Sequence, residues 1–159
     1  GDWAEDRLIP DCIRAFMSEK ISEIRYPDAV RPWQHVFEPL YGYLLLGQRV
    51  YEDGTKFTGA WNFGPDDNDV KSVRWVVERI TSMWGDNVSW RISACRQPHE
   101  AHYLKLDCSK AKTKLGWYPQ WALEIGLERT VEWYKAYCNK EDMFNFSLNQ
   151  IKSYESGER

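Results

Sequence analysis

The chain has 159 residues, 43% of them hydrophobic, and carries 21 Lys and Arg against 24 Asp and Glu, a formal charge of -3 at pH 7. A chain of this length suits one domain with its own core, burying roughly two-thirds of its unfolded surface. Mixed charges of nearly balanced number give no electrostatic footprint for a polyanion and exclude a general nucleic-acid role.

From Asp6 to Glu19, Ile9, Ile13, Phe16 and Met17 recur near helical spacing, with Pro10 early, where a missing N–H costs least. A helix is expected there. The loop RYPDAVRPWQH follows, and then Val36 to Tyr51, where Phe37, Leu40, Tyr41, Tyr43, Leu44, Leu45, Leu46 and Val50 cover more than one face of a second helix. A helix apolar on several sides expects burial on several sides. Trp61-Asn62-Phe63 before Gly64-Pro65 reads as a short strand ended by a turn. Val70, Val73, Val77, Ile80 and Trp84 mark an amphipathic helix with Asn68 and Asp69 as capping candidates.

Val88 to Ala94 alternates enough to be a strand, and Tyr103 to Leu106 a shorter one. Ser109 can cap a short helix ending at Leu115-Gly116, the Gly standing where a left-handed cap needs it. Leu123, Leu127, Val131 and Tyr134 define a last helix to about Cys138, and the polar remainder, 139–159, is expected to fray. Helices and strands intermixed in this way predict an α/β or α+β layer arrangement over residues 1–138.

The four cysteines include no CxxC pair, and no His stands at metal-ligand spacing, so neither a zinc site nor a redox dithiol is expected. GDWAEDRLIPD carries charges where a signal peptide needs an apolar run, and the stretch Tyr41 to Leu46 is too short to span a bilayer. A reduced cytoplasmic protein without membrane contact is the expectation. The glycines form neither GxGxxG nor GxxGxxG, and no Tyr has a Lys four residues later, Tyr51 to Lys56 missing by one. On the residues alone the chain is not a self-sufficient enzyme, and no cofactor is expected for it alone.

Four segments in order resemble the second half of the nucleotide-sugar 4,6-dehydratases, members of the extended short-chain dehydrogenase family: DRLIPD from Asp6, RPWQHVFEP from Arg31, WNFGP from Trp61, and RQPHEAHYLKLDCSKAKTKLGWYP from Arg96. PHEAHYLKLD resembles the CDP-glucose branch in particular. The resemblance implies the substrate-binding part of an extended short-chain dehydrogenase, without its amino-terminal Rossmann core, over residues 1–138. It further implies Arg7 and the backbone near Leu8 against the nucleotide, and Arg31 on the diphosphate. Arg96 and His99 would contact phosphates and ribose, with NAD and the catalytic Tyr and Lys supplied by the other half. A planar guanidinium suits Arg31 and Arg96 to phosphate oxygens.

Two readings follow: a portion of a dehydratase that keeps weak affinity for CDP or a CDP-hexose, or a non-catalytic module that reuses the fold as an oligomer or for partner binding. In either reading the apolar helix from Val36 to Tyr51 needs a cover, and a symmetric dimer is the expected one.

Overall fold

A computed structural model describes residues 2–85, 87–94 and 102–157. The first helix, α1 (Leu8–Met17), turns Cys12, Ile13 and Phe16 inward, and Pro10 sits in its first turn as expected. Helix α2 (Phe37–Asp53) is the longest element. Its backbone is approached closely at Gly42, where an added Cβ would run into the Phe63 ring. Any larger residue there would push that ring away.

Two small ladders flank the helices. Strand β1 (Ser22–Ile24) and strand β4 (Trp90–Ile92) pair in parallel, while β2 (Val30–Pro32) and β3 (Val70–Ser72) pair antiparallel with Arg31 opposite Lys71. The strand expected over Val88 to Ala94 is thus three residues long. Tyr103 makes one isolated bridge to Val30 in place of the expected strand to Leu106, and Trp61–Phe63 joins no ladder among the described residues. Extended residues without a neighbouring strand have no ladder to enter, whatever their side chains prefer.

Helix α3 (Val73–Trp84) buries Val73, Val76, Val77 and Ile80, but it starts later than the spacing predicts. Val70 to Ser72 are taken up by the ladder with β2, and the Ser72 hydroxyl, 3.2 Å from the Trp75 N–H, caps the helix in place of Asn68 or Asp69. Asp67–Asp69 form a 3-10 turn instead. The short helix near Ser109 is a turn of π-helix, Ala111–Leu115, closed by Gly116 at φ 71 as expected. Ser109 does not cap it: the residue before the helix is Lys110, no side chain caps that end, and the Ser109 N–H instead donates to the Asp107 carboxylate at 2.9 Å in a local turn.

Helix α4 (Leu123–Cys138) presents Leu123, Leu127, Val131 and Tyr134 to the core, as their spacing predicts. The expected frayed tail is a helix instead: α5 (Met143–Ser156), capped by Asp142, which accepts from the Phe144 and Asn145 N–H groups at 3.1 Å. Its buried residues are Gln150 and Tyr154. A helix with so narrow a buried stripe looks polar overall and gives a weak periodic signal.

Two cores result. The larger joins Cys12, Ile13 and Phe16 of α1 to Val76, Val77 and Ile80 of α3 and Leu127 and Val131 of α4. The smaller gathers Phe63, Cys108, Ala111, Leu115 and Trp117, with Leu45 and Leu46 of α2 packed against it. Each fully buried aliphatic side chain in such a core contributes about 1.5–3 kcal/mol. Among the described residues no helix is long and apolar enough to cross a membrane.

Candidate nucleotide site

A cleft of about 480 Å³ opens where the start of α1, the segment after β2, and helices α4 and α5 meet. Arg7 is the extended residue that leads into α1, and Leu8 is the helix's first residue; both line the cleft. Trp33 forms part of the opposite wall and is fixed by its indole N–H, which donates to the Lys71 carbonyl at 3.0 Å. Next to it, the Gln34 amide donates to the Phe63 carbonyl at 2.8 Å. Helix α5 contributes Ser147 and Ile151 as the remaining wall.

His35 lies deeper. Its ring packs edge-on to Phe37 and Trp121 at centroid distances of 4.6 and 5.1 Å, and a Cβ at Gly126 would stand 3.2 Å from the His35 Cβ. Nδ1 accepts the Phe37 N–H at 3.3 Å. Burial pulls the imidazole down to about 4, so at neutral pH it is an uncharged acceptor.

Below it the Glu38 carboxylate is fully buried, accepting from the Gln120 N–H at 2.9 Å, the Trp121 N–H at 2.8 Å and the Tyr154 hydroxyl at 2.9 Å. Burial raises the Glu38 carboxyl, and these hydrogen bonds partly oppose the shift. Burial and the neighbouring Glu38 together raise the Tyr154 phenol. The hub therefore ties the start of α2, the approach to α4 and the end of α5 to one another, and it holds the cleft wall in place.

Of the residues expected to bind nucleotide, Arg7 and Leu8 come together on the cleft. Arg31 stands on β2, two residues before Trp33, half-buried, with its guanidinium donating to the Val30 carbonyl at 2.8 Å. Arg96 and His99 lie outside the described residues. Trp33, Gln34 and His35 sit inside the RPWQH segment, whose Trp reads from the sequence as a core or cleft-wall residue and is a cleft wall here, while Gln34 and His35 carried no role. Ser147 and Ile151 were missed with their helix. Chemically, an apolar cleft with an exposed guanidinium on its lining has the lining that a flat apolar group bearing an anionic end requires, although Asp2 also lines it and opposes an anion there. Among the described residues no cluster of three or more His, Cys, Asp or Glu could hold a metal ion.

None of the protein-family models matches this chain. It is 51% identical over 156 residues to the CDP-glucose 4,6-dehydratase of Salmonella typhimurium, a match that takes in 98% of this chain and 44% of that protein. The chain belongs to the extended short-chain dehydrogenases. It corresponds to a carboxy-terminal part of the nucleotide-sugar dehydratases among them and spans less than half the length of that relative. A dTDP-glucose 4,6-dehydratase of Haemophilus influenzae shares 51% identity over 39 residues, 24% of this chain and 11% of that protein. The fold matches that of a Bacillus anthracis dTDP-glucose 4,6-dehydratase solved in complex with NAD, at TM-score 0.64 and 22% identity over 82% of this chain and 39% of that one.

Proposed function

We propose that this chain is the nucleotide-sugar-binding portion of a CDP-glucose 4,6-dehydratase-like protein, that it recognises the CDP part of a CDP-hexose, and that it is not catalytically competent alone. The observation that carries the reading is the 51% identity to a CDP-glucose 4,6-dehydratase along 98% of the chain. Support for the binding role comes from Arg7 and Leu8 on an apolar cleft walled by Trp33. Support for the lack of turnover comes from these 159 residues, which contain no glycine-rich dinucleotide turn and no Tyr followed four residues on by Lys.

In this reading Arg7, Arg31, Arg96 and His99 face the nucleotide and its diphosphate, Leu8 offers backbone and apolar surface to the base, and the hexose and nicotinamide belong to the other half of the fold. Affinity should then follow CDP and ignore the sugar. An Arg-to-phosphate pair in contact with water is screened by salt, and ordering loops costs free energy on binding. A dissociation constant on the order of a millimolar, about 4 kcal/mol, is expected, weakening as salt rises.

The test is calorimetric titration with CDP, CDP-glucose and glucose, repeated on Arg7→Ala, Arg31→Ala and Arg96→Ala, with the same preparation incubated with NAD and CDP-glucose. The reading expects equal weak binding of CDP and CDP-glucose, loss in the Arg variants, and no product. Binding indifferent to all three substitutions, or NAD-dependent turnover in a preparation free of intact enzyme, would overturn it.

A further inference from the structure

Two charged side chains line the cleft, Arg7 and Asp2, and they are opposite in sign. The rest of the lining is apolar or uncharged, with Leu8, Trp33, Phe37 and Ile151 among it. A guanidinium suits a phosphate. The carboxylate is the feature that a phosphate does not explain.

Asp2 is exposed, yet its place is fixed. Its main-chain carbonyl accepts the Tyr134 hydroxyl of α4, and the next two carbonyls, those of Trp3 and Ala4, accept from the Arg14 guanidinium of α1 at 2.9 and 3.2 Å. The Trp3 ring packs on Tyr134 and Tyr137 at centroid distances of 5.1 and 5.0 Å. Of the carboxylate oxygens, Oδ1 accepts the Ala4 N–H at 2.9 Å, and Oδ2 accepts from none of the described residues. An ionised carboxylate is an acceptor only, so a group anchored on the cleft wall keeps lone pairs for a donor on the ligand.

Cytosine carries an amino group, with two N–H donors, at the ring position where uracil and thymine carry a carbonyl oxygen, and Asp and Glu accept from that amino group. The amino group and the diphosphate stand at opposite ends of a cytidine nucleotide. One ligand can therefore give a donor to Asp2 and an anion to Arg7.

We propose that the Asp2 carboxylate reads the exocyclic amino group of cytosine and so selects a cytidine nucleotide over a uridine or thymidine one. This assignment rests on the nucleotide reading of the cleft and adds the residue that distinguishes the base. A uracil carbonyl set against the same carboxylate leaves two acceptors facing each other without a proton between them, which is worse than the loss of one contact. Discrimination therefore comes from repulsion of the wrong base as well as attraction of the right one.

The test is NMR titration of this chain with CDP and with UDP, which share ribose and diphosphate, on the unaltered protein and on Asp2→Ala, Asp2→Lys and Glu5→Ala. CDP is expected to bind about tenfold more tightly than UDP to the unaltered chain. The ratio should fall to within about twofold in Asp2→Ala and reverse in Asp2→Lys, whose ammonium donates to the uracil carbonyl. Glu5→Ala removes the same charge from an exposed residue that does not line the cleft, and it should keep the ratio. A general effect of charge on diphosphate binding, or a disturbed fold, would change both affinities together and could not reverse the preference. Equal binding of CDP and UDP to the unaltered chain, or a ratio that survives in Asp2→Ala, would overturn the assignment and leave the nucleotide reading standing. Failure of both nucleotides to bind would overturn the two together.

Discussion

Glu38 and His35 show how one turn of chain can carry opposite pH dependences. His35 has a folded pKa of about 4 against an ordinary 6.5, because its ring is buried. Its contribution to stability is therefore present above pH 6.5 and is lost as pH falls toward 4. Glu38, raised by burial, acts in the other direction, its contribution being present below 4.5 and lost as pH rises through its higher folded value. Between pH 7 and pH 5 the His35 effect amounts to about 2 kcal/mol of lost stability. In His35→Asn, whose side-chain oxygen can take the Phe37 N–H, that part of the loss should vanish. Denaturant unfolding at the two pH values compares the proteins, and an identical loss in both would contradict the assignment to His35. Neither residue stood out in the sequence, since a Glu among apolar neighbours at the start of a helix reads as an ordinary solvated charge.

Among the elements, helices α1 to α4 were legible and the short strands β2 and β3 were not. Leu123, Leu127, Val131 and Tyr134 gave the limits of α4 because one face repeats over sixteen residues. Strands of three residues, by contrast, are too brief for alternation to register, and β2 and β3 are defined by each other at a sequence separation no local pattern reports. Helix α5 was missed for another reason. Its end is fixed by the Tyr154 hydroxyl on the Glu38 carboxylate, a contact with a residue 116 positions earlier in the chain. The local signals that could have found it are the Asp142 cap and Gly157, which closes the helix at φ 71. Tyr154→Phe removes a donor to a buried carboxylate and is expected to cost about 2 kcal/mol, with faster amide exchange along α5. Unchanged stability and unchanged exchange would mean that α5 is held by its other contacts, the Gln150 amide on the Arg129 carbonyl, the Trp133 indole on Ser147 and ring packing.

For the molecule as a whole, the described residues of the four segments that resemble nucleotide-sugar dehydratases fall within one fold, and the identity to a CDP-glucose dehydratase runs along 98% of the chain. The site was legible only in part. Arg7 and Leu8 meet on the cleft, whereas the wall opposite them is built by Trp33, which needs the β2–β3 ladder, and by Ile151, which needs α5. Such a wall follows from packing between distant segments, which no single motif encodes.

The central claim, that these residues hold the CDP end of a nucleotide sugar, is tested most directly by residue-resolved NMR of the chain titrated with CDP and with CDP-glucose. The account predicts the same set of shifted amides for both ligands, including Arg7, Leu8 and Arg31, and no response to glucose. Shifts confined to the polar hollow between Asp66 and Lys112, or none at millimolar CDP, would contradict it.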